Sequence, residues 1–175
     1  VRSDCFIELE LKSGGIFDIS VTSKVKALYG NSIINQIEEL CSFFELPPCS
    51  VRVTDSGALP FVISARFETA VKRLFPEIAK EYLPQNFFTD RIKTEKNHIR
   101  RSRLYLPGNE PKYFINAGLH SPDGIILDLE DSVHPDEKDA AAILVRNALR
   151  CVNFYGAELM VRINQMPAGL NDLKY

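Results

Sequence analysis

Three acidic side chains stand at the exit of one apolar stretch, and an arginine stands at the exit of the next. The stretch GIILDLED contains Asp128, Glu130 and Asp131, and ELMVRIN contains Arg162. Carboxylates beside a guanidinium can bind a metal ion directly or through water, and the guanidinium fork can hold an anionic substrate. A structural alternative stays open, in which an acid caps the following helix and Arg162 pairs with one of the acids.

Sequence periodicity predicts that these side chains lie at one end of a parallel sheet. From Arg101 onward, the order is β-α-β-α-β, with strands in RLYLPG, GIILDLED and ELMVRIN. Continuously apolar runs are typical of parallel strands that are covered on both faces. Functional groups of such folds gather at the carboxyl ends of the strands, where the loops diverge. We therefore expect the acids and Arg162 to share one mouth.

The first part of the chain follows a different pattern. Residues 5–12 and 17–22 alternate between apolar and polar side chains on either side of Ser13-Gly14-Gly15, which predicts a β-hairpin. A helix is expected after Gly30, capped by Asn31 or Ser32 and ended by a proline pair. A short strand and a second helix complete a small α+β unit.

We predict two domains joined by a linker. The α+β domain covers residues 1–75, and an α/β unit covers residues 100–175. Residues 76–99 mix proline, charge and isolated aromatic side chains without sustained periodicity, as linkers do. The basic stretch from Arg91 to Arg103 is explained by a solvated linker, with a phosphate-binding patch as the alternative.

Composition excludes several classes of protein. At 45% hydrophobic and 25% charged residues, the chain is neither disordered nor fibrous, and a formal net charge of -2 gives no general attraction to nucleic acid. Apolar runs fall well short of the roughly 18 to 20 residues that cross a bilayer, and no signal-peptide pattern opens the chain. We expect a cytoplasmic protein with no nucleic-acid or membrane partner. The scattered cysteines and histidines predict reduced structural thiols and no zinc site.

The second half resembles the start of the citrate lyase β-subunit family, the HpcH/HpaI aldolase-like group that includes malyl-CoA and citramalyl-CoA lyases. The match rests on segments in the same order: RSRLYLPGNEPK, GIILDLEDSVHPDEKDAA, VRNALR and MVRIN followed by GLNDL. The first part is similar to the citrate lyase acyl carrier subunit, the γ chain, through SDCFIELEL, YGNSI and DSGALPFVISARFETAV. Together these resemblances imply a fusion with the carrier placed first.

The implied fold class is α/β: a small α+β acyl-carrier-like domain followed by the first part, about three strands, of a (β/α)8 barrel. A complete barrel takes about 250 residues, so we expect a truncated one. Three strands with open edges would pair with other chains or aggregate. The family's direct metal ligands lie on later strands and are expected beyond Tyr175. We therefore expect the front part of a longer polypeptide, inactive by itself.

The resemblance implies a magnesium-dependent carbon-carbon lyase. Such an enzyme cleaves a 3-hydroxy-acyl thioester of the citryl type to an acetyl thioester and a 2-oxo acid such as oxaloacetate. In the family, the arginine of the R-x-N motif contacts the substrate carboxylate, and that residue is Arg162 here. Glu130 and Asp131, from the LDLED motif, would orient Arg162 or metal-bound water. Free CoA thioesters such as malyl-CoA or citramalyl-CoA are alternative substrates.

The carrier resemblance implies a prosthetic group of the phosphoribosyl-dephospho-CoA type on a serine ahead of the first strand. Ser3 is the hydroxyl in that place, although the family's serine tends to lie one residue earlier, where Arg2 stands. In the alternative, Ser3 merely begins the strand and the domain is a docking relic. A non-catalytic carrier or interaction module is the rival function. The expected partners are an acyl thioester substrate and either further copies of the chain or the subunits of a citrate-lyase-like complex.

Overall fold

The computed structural model describes residues 2–12, 17–89 and 93–175, so the turn at Ser13-Gly14-Gly15 and Arg91 lie outside the described residues. The chain forms two compact units, Val1–Leu83 and Pro84–Tyr175. Within the described residues, each unit contains one three-stranded sheet, and the architecture is mixed α/β. None of the helices in these ranges is both long enough and apolar enough to cross a membrane.

The sheet of the first unit has its last strand in the middle. Strands β1 (Cys5–Leu11) and β2 (Asp18–Ser23) both pair with β3 (Cys49–Asp55), antiparallel and parallel respectively. The predicted hairpin is therefore wrong, because β1 and β2 do not pair with each other. Val51 and Val53 of β3 are fully buried, whereas the edge strands keep polar faces toward water. The most buried of the three strands takes the position in which both of its edges are hydrogen-bonded.

Two helices cover one face of this sheet. Helices α1 (Lys26–Phe43) and α2 (Pro60–Leu74) bury apolar side chains against it, including Ile37, Leu40 and Phe67. The predicted start of α1 after Gly30 is wrong, because the helix already begins at Lys26 and contains Gly30 in its second turn.

The second unit contains the predicted parallel sheet. Strands β4 (Arg103–Pro107), β5 (Gly124–Asp128) and β6 (Glu158–Arg162) run parallel in the order β4-β5-β6. All five residues of the central strand β5 are buried. The β-α-β-α-β order expected from the sequence is thus confirmed for the described residues.

Three helices follow the strands of the second unit. Helices α3 (Pro111–Ala117) and α4 (Lys138–Cys151) form the two crossovers, and the short helix α5 (Gly169–Asp172) follows β6. Fully buried residues of α4, among them Ala141, Leu144 and Ala148, contribute to the core of this unit. Because the crossovers make all three strands parallel, the carboxyl ends of the strands lie at one edge of the sheet.

Candidate functional site

The centre of the candidate site is a carboxylate-guanidinium pair at the carboxyl edge of the second sheet. Asp128 ends β5, Arg162 ends β6, and the two residues are partners in the parallel register. Arg162 Nε donates to Asp128 Oδ1 at 2.7 Å, and Nη2 donates to Oδ2 at 2.6 Å. Asp128 is only 2% exposed. The pair is therefore bidentate, which fixes the plane of the guanidinium.

Two further carboxylates lie on the other side of the same guanidinium. Arg162 Nη1 is 3.2 Å from Glu130 Oε2 and 3.1 Å from Asp131 Oδ2. The Glu130 side chain is 20% exposed, whereas that of Asp131 is 78% exposed. The structure thus brings together all four of the side chains that the sequence placed at a common mouth.

Asp128 is anchored by backbone groups as well as by Arg162. Its Oδ1 accepts from the Glu130 N–H at 2.9 Å, and its Oδ2 accepts from the Ser132 N–H at 3.2 Å. Burial alone would raise the pKa of Asp128, but the hydrogen bonds from Arg162, Ser132 and Glu130 outweigh it and hold this pKa well below its usual range. Asp128 is therefore charged at neutral pH and serves as an anchor, not as a proton donor.

The same pair acts on the arginine. The hydrogen bonds from Arg162 to Asp128 raise the pKa of the guanidinium above its ordinary value, with the nearby Asp131 and Glu130 charges adding to the effect. Sequence reasoning assigned roles to Glu130 and Asp131 and missed Asp128 as the main partner of Arg162. The available signal was the place of both residues as the last in their strands.

An aromatic ring forms one wall beside the arginine. The Arg162 Cζ atom lies 5.5 Å from the centre of the Tyr105 ring, within the range of a cation-π contact. Tyr105 lies in β4 and is 54% exposed. Its register partner in β5 is Ile126, two residues before Asp128, so the Tyr105 and Asp128 side chains project from the same face of the sheet. Sequence reasoning did not select Tyr105.

Main-chain hydrogen bonds join the ends of the three strands. The Gly108 N–H donates to Asp128 O at 2.8 Å, and the Leu129 N–H donates to Arg162 O at 2.8 Å. A Cβ atom at Gly108 would lie 2.6 Å from Asp128 O and 2.8 Å from Leu129 Cδ2. Only glycine lets the loop after β4 approach β5 this closely.

In the first unit, Ser3 lies in the turn ahead of β1. Its backbone has a positive φ of 58°, and its N–H donates to Ser56 O at 3.1 Å. The next residue, Asp4, accepts two hydrogen bonds from Arg66 of α2, at 3.0 and 2.9 Å. The half-buried Ser3 therefore stands on a turn that is fixed to the helix behind it.

The described side chains do not fit a direct magnesium site. Across residues 2–12, 17–89 and 93–175, no group of three or more His, Cys, Asp or Glu side chains could hold a metal ion. The acids at the carboxyl edge contact Arg162 instead. All four cysteines are free thiols, as the sequence predicts.

The chain contains two unlike units: a small α+β unit, and a parallel α/β unit with charged groups at its carboxyl edge. Residues 2–74 match an acyl carrier family described as Malonate decarboxylase delta subunit (MdcD). Residues 101–173 match the family described as HpcH/HpaI aldolase/citrate lyase.

Individual relatives give the same assignment. The chain is 44% identical over 78 residues to citrate lyase subunit beta of Leuconostoc mesenteroides, which covers 43% of this chain and 26% of the relative. It is 37% identical over 71 residues to the citrate lyase acyl carrier protein of Clostridium perfringens, covering 41% of this chain and 70% of the relative. A (3S)-malyl-CoA thioesterase of Cereibacter sphaeroides is 39% identical over 69 residues, covering 39% of this chain and 24% of the relative.

The chain belongs to the citrate lyase family, with acyl carrier sequence in the first unit and HpcH/HpaI sequence in the second. The resemblance seen in the sequence is confirmed. The chain spans about a quarter of the length of the citrate lyase β subunit that it matches.

Proposed function

We propose that the whole protein is a carbon-carbon lyase that cleaves a citryl-type 3-hydroxy-acyl thioester to an acetyl thioester and a 2-oxo acid such as oxaloacetate. The observation that supports this most is Arg162, a guanidinium held at the carboxyl edge of a parallel sheet by a buried carboxylate. The relatives of this chain that are named citrate lyase subunit beta support the same class of reaction.

The geometry leaves part of the guanidinium available to a substrate. Arginine has five N–H donors, and the bidentate contact with Asp128 uses two of them. Asp131 contacts Nη1 from an exposed position, so a substrate carboxylate can replace it at little cost. Asp128 would keep the guanidinium in place during this exchange. Arg162 would thus bind the carboxylate at the oxo-acid end of the substrate.

The proposed reaction breaks the bond between the α carbon of the thioester and the hydroxyl-bearing carbon. The electron pair of that bond passes to the thioester as an enolate, which gains a proton to become the acetyl thioester. The hydroxyl group loses its proton and becomes the carbonyl of the 2-oxo acid. Arg162 would orient the breaking bond by holding the oxo-acid carboxylate. The reacting carbon is then already in a productive geometry before the bond breaks.

The magnesium dependence implied by the resemblance is part of the proposal for the whole protein, with direct ligands outside this chain. Glu130 and Asp131 would then act on Arg162 or on metal-bound water. The described residues of this chain do not themselves form a ligand cluster for the ion.

The first unit would carry the acyl group. Acyl carrier relatives support a prosthetic group that holds the thioester, of the phosphoribosyl-dephospho-CoA type, and Ser3 is the proposed attachment residue. A tethered thioester reaches the lyase part at a high effective concentration. We propose a carrier domain at residues 1–75, a linker at 76–99 and, from residue 100, the opening strands of a (β/α)8 barrel. The protein would act in the cytoplasm, as a homo-oligomer or within a multi-subunit complex of the citrate lyase kind.

A second candidate function is supported by the relatives named (3S)-malyl-CoA thioesterase. In this case, the protein would act on free CoA thioesters such as malyl-CoA or citramalyl-CoA, and the carrier unit would not supply the substrate.

Activity assays on the full-length protein decide between these functions. Citryl, malyl and citramalyl thioesters are supplied with and without magnesium, and release of the 2-oxo acid is followed. Turnover of the citryl thioester supports the proposal, and turnover of the free malyl or citramalyl thioester alone supports the second candidate. A folded protein that is silent on all three would be a non-catalytic module, and the lyase proposal would be wrong.

Intact-mass measurement tests separately whether a prosthetic group is attached at Ser3. The protein is purified from its native host, and a mass increase that maps to the peptide of Ser3 and disappears in Ser3→Ala supports attachment there. An unmodified mass overturns it and leaves Ser3 as a turn residue.

A further inference from the structure

We propose that Lys138 is a positioning residue, whose ammonium group joins the acidic loop after β5 to the R-x-N segment after β6 and so sets Glu130 beside Arg162. This inference rests on the proposed lyase function.

The Lys138 ammonium group reaches acceptors in two separate loops. Its Nζ donates to Leu129 O at 2.9 Å, to Glu130 O at 2.8 Å and to Asn164 Oδ1. A lysine ammonium has three N–H donors, so these three acceptors use its full capacity. Two acceptors belong to the segment that carries Glu130, and the third lies two residues after Arg162.

Asn164 is itself held from the other side. Its backbone N–H and its Nδ2 group both donate to Asp172 Oδ2, at 2.7 and 2.8 Å. Asp172 ends α5. A continuous set of contacts therefore runs from the start of α4, through the R-x-N segment, to α5. Removing the ammonium group would leave Asn164 held by α5 alone and would free the carbonyl groups of the acidic loop.

The place of Lys138 in its helix argues that these contacts are specific. Lys138 is the first residue of α4, and a cation in the first turn of a helix is disfavoured by the helix dipole. Lys138 is also not a solvated surface lysine, since its side chain is only partly exposed and its ammonium group donates to two main-chain carbonyl groups.

Charge at the carboxyl edge gives the lysine a second effect. Three carboxylates surround one guanidinium there, which leaves excess negative charge. A second cation bound to the carbonyl groups of Leu129 and Glu130 reduces the repulsion within the loop. Lys138 thus favours the arrangement in which Glu130 stays on Arg162.

The test uses the full-length protein with Lys138→Met, Asn164→Ala and the double variant. Lys174→Met is the matched control, because Lys174 is exposed and donates to a single acceptor three residues away, Asn171 Oδ1. We expect Lys138→Met to lower kcat for the citryl thioester by roughly 10- to 100-fold while KM changes by less than about 3-fold, since misplacement by about 1 Å has effects of this size. Lys174→Met should keep wild-type kinetics.

Two readouts separate positioning from a general loss of stability. First, the fold decrease in kcat of the double variant should be no more than about twice that of the more impaired single variant. Both substitutions remove the same contact between Lys138 and Asn164. Second, hydrogen exchange of the peptides covering 129–133 and 163–165 should speed up in Lys138→Met and in Asn164→Ala but not in Lys174→Met. Lys138→Arg should not restore kcat, because the planar fork of arginine cannot converge on three acceptors as an ammonium group does.

Wild-type kcat in a folded Lys138→Met protein, or fully additive losses in the double variant, would overturn the inference. If Lys138→Met does not fold, Asn164→Ala decides, because it removes the link while leaving both carbonyl contacts of the ammonium group. If the wild-type protein cleaves no thioester, the proposed function fails, and the exchange data alone test Lys138: unchanged exchange in both loops contradicts its role.

Discussion

Replacing Asp128 by Asn in the full-length protein should destabilise the carboxyl edge of the second sheet strongly. The substitution keeps the size of the side chain but removes its charge and turns one of the two oxygen atoms, each of which accepts from Arg162 and from one backbone N–H, into a donor. Asp128 is 2% exposed and accepts hydrogen bonds from three residues. Charged hydrogen bonds of this kind contribute about 1.5 to 3 kcal/mol each, and disrupting a buried pair costs about 3 to 5 kcal/mol.

Since Arg162 is one-third exposed and can be rehydrated, we expect a loss below the range for a fully buried pair, about 2 to 3 kcal/mol. The matched control is Asp131→Asn, which touches the same guanidinium from a position that is 78% exposed. Exposed pairs contribute about 0 to 1 kcal/mol, so this variant should change little. Native-state hydrogen exchange of the β5 peptide measures both free energies of opening.

The difference between wild type and Asp128→Asn should also depend on pH. The folded-state pKa of Asp128 is lowered, so its contribution to stability is complete above the unfolded-state pKa and is lost as the pH falls toward the folded-state value. The difference should therefore be constant from about pH 5 to pH 8 and should shrink below about pH 4. Equal losses in Asp128→Asn and Asp131→Asn, or a difference that grows as the pH falls, would refute the reasoning.

Two other substitutions test the surroundings of Arg162. Tyr105→Leu removes the ring beside the guanidinium and should raise KM roughly 2- to 5-fold with kcat nearly unchanged, as steady-state kinetics would show; a fall in kcat alone would contradict a binding role. Gly108→Ala places a Cβ atom 2.6 Å from Asp128 O, so it should destabilise the protein by about 1 to 3 kcal/mol in thermal unfolding, and an unchanged Tm would show that the loop can move away.

Sequence reasoning succeeded where local pattern fixes the outcome. Short apolar runs separated by amphipathic helices leave few ways to build the second unit, and right-handed crossovers then place all strand ends at one edge. Arg162, Glu130 and Asp131 could be placed together for this reason. The pairing of Asp128 with Arg162 depends on the register of β5 against β6, and the only sequence signal for it is the place of both residues at the ends of their strands.

In the first unit, the errors have a similar cause. A turn between two alternating stretches predicts a hairpin, but nothing local shows that β3 enters between β1 and β2. Helix α1 begins at Lys26, so the predicted capping residue Asn31 lies inside the helix, and Gly30 is its first buried residue. Lys138 was not singled out, since two of its three acceptors are main-chain carbonyl groups, which no side-chain motif reveals.

The central claim is that Arg162 binds the carboxylate of the oxo-acid part of the substrate, and steady-state cleavage of the citryl thioester by full-length Arg162→Met tests it most directly. Arg52→Met is a matched control, because Arg52 pairs with one exposed carboxylate, that of Glu10. We expect Arg162→Met to lower kcat/KM by about 100-fold or more through loss of the contact between the guanidinium and the substrate carboxylate, with partial recovery in Arg162→Lys. A folded Arg162→Met protein whose kcat/KM lies within about 2-fold of wild type would contradict the account.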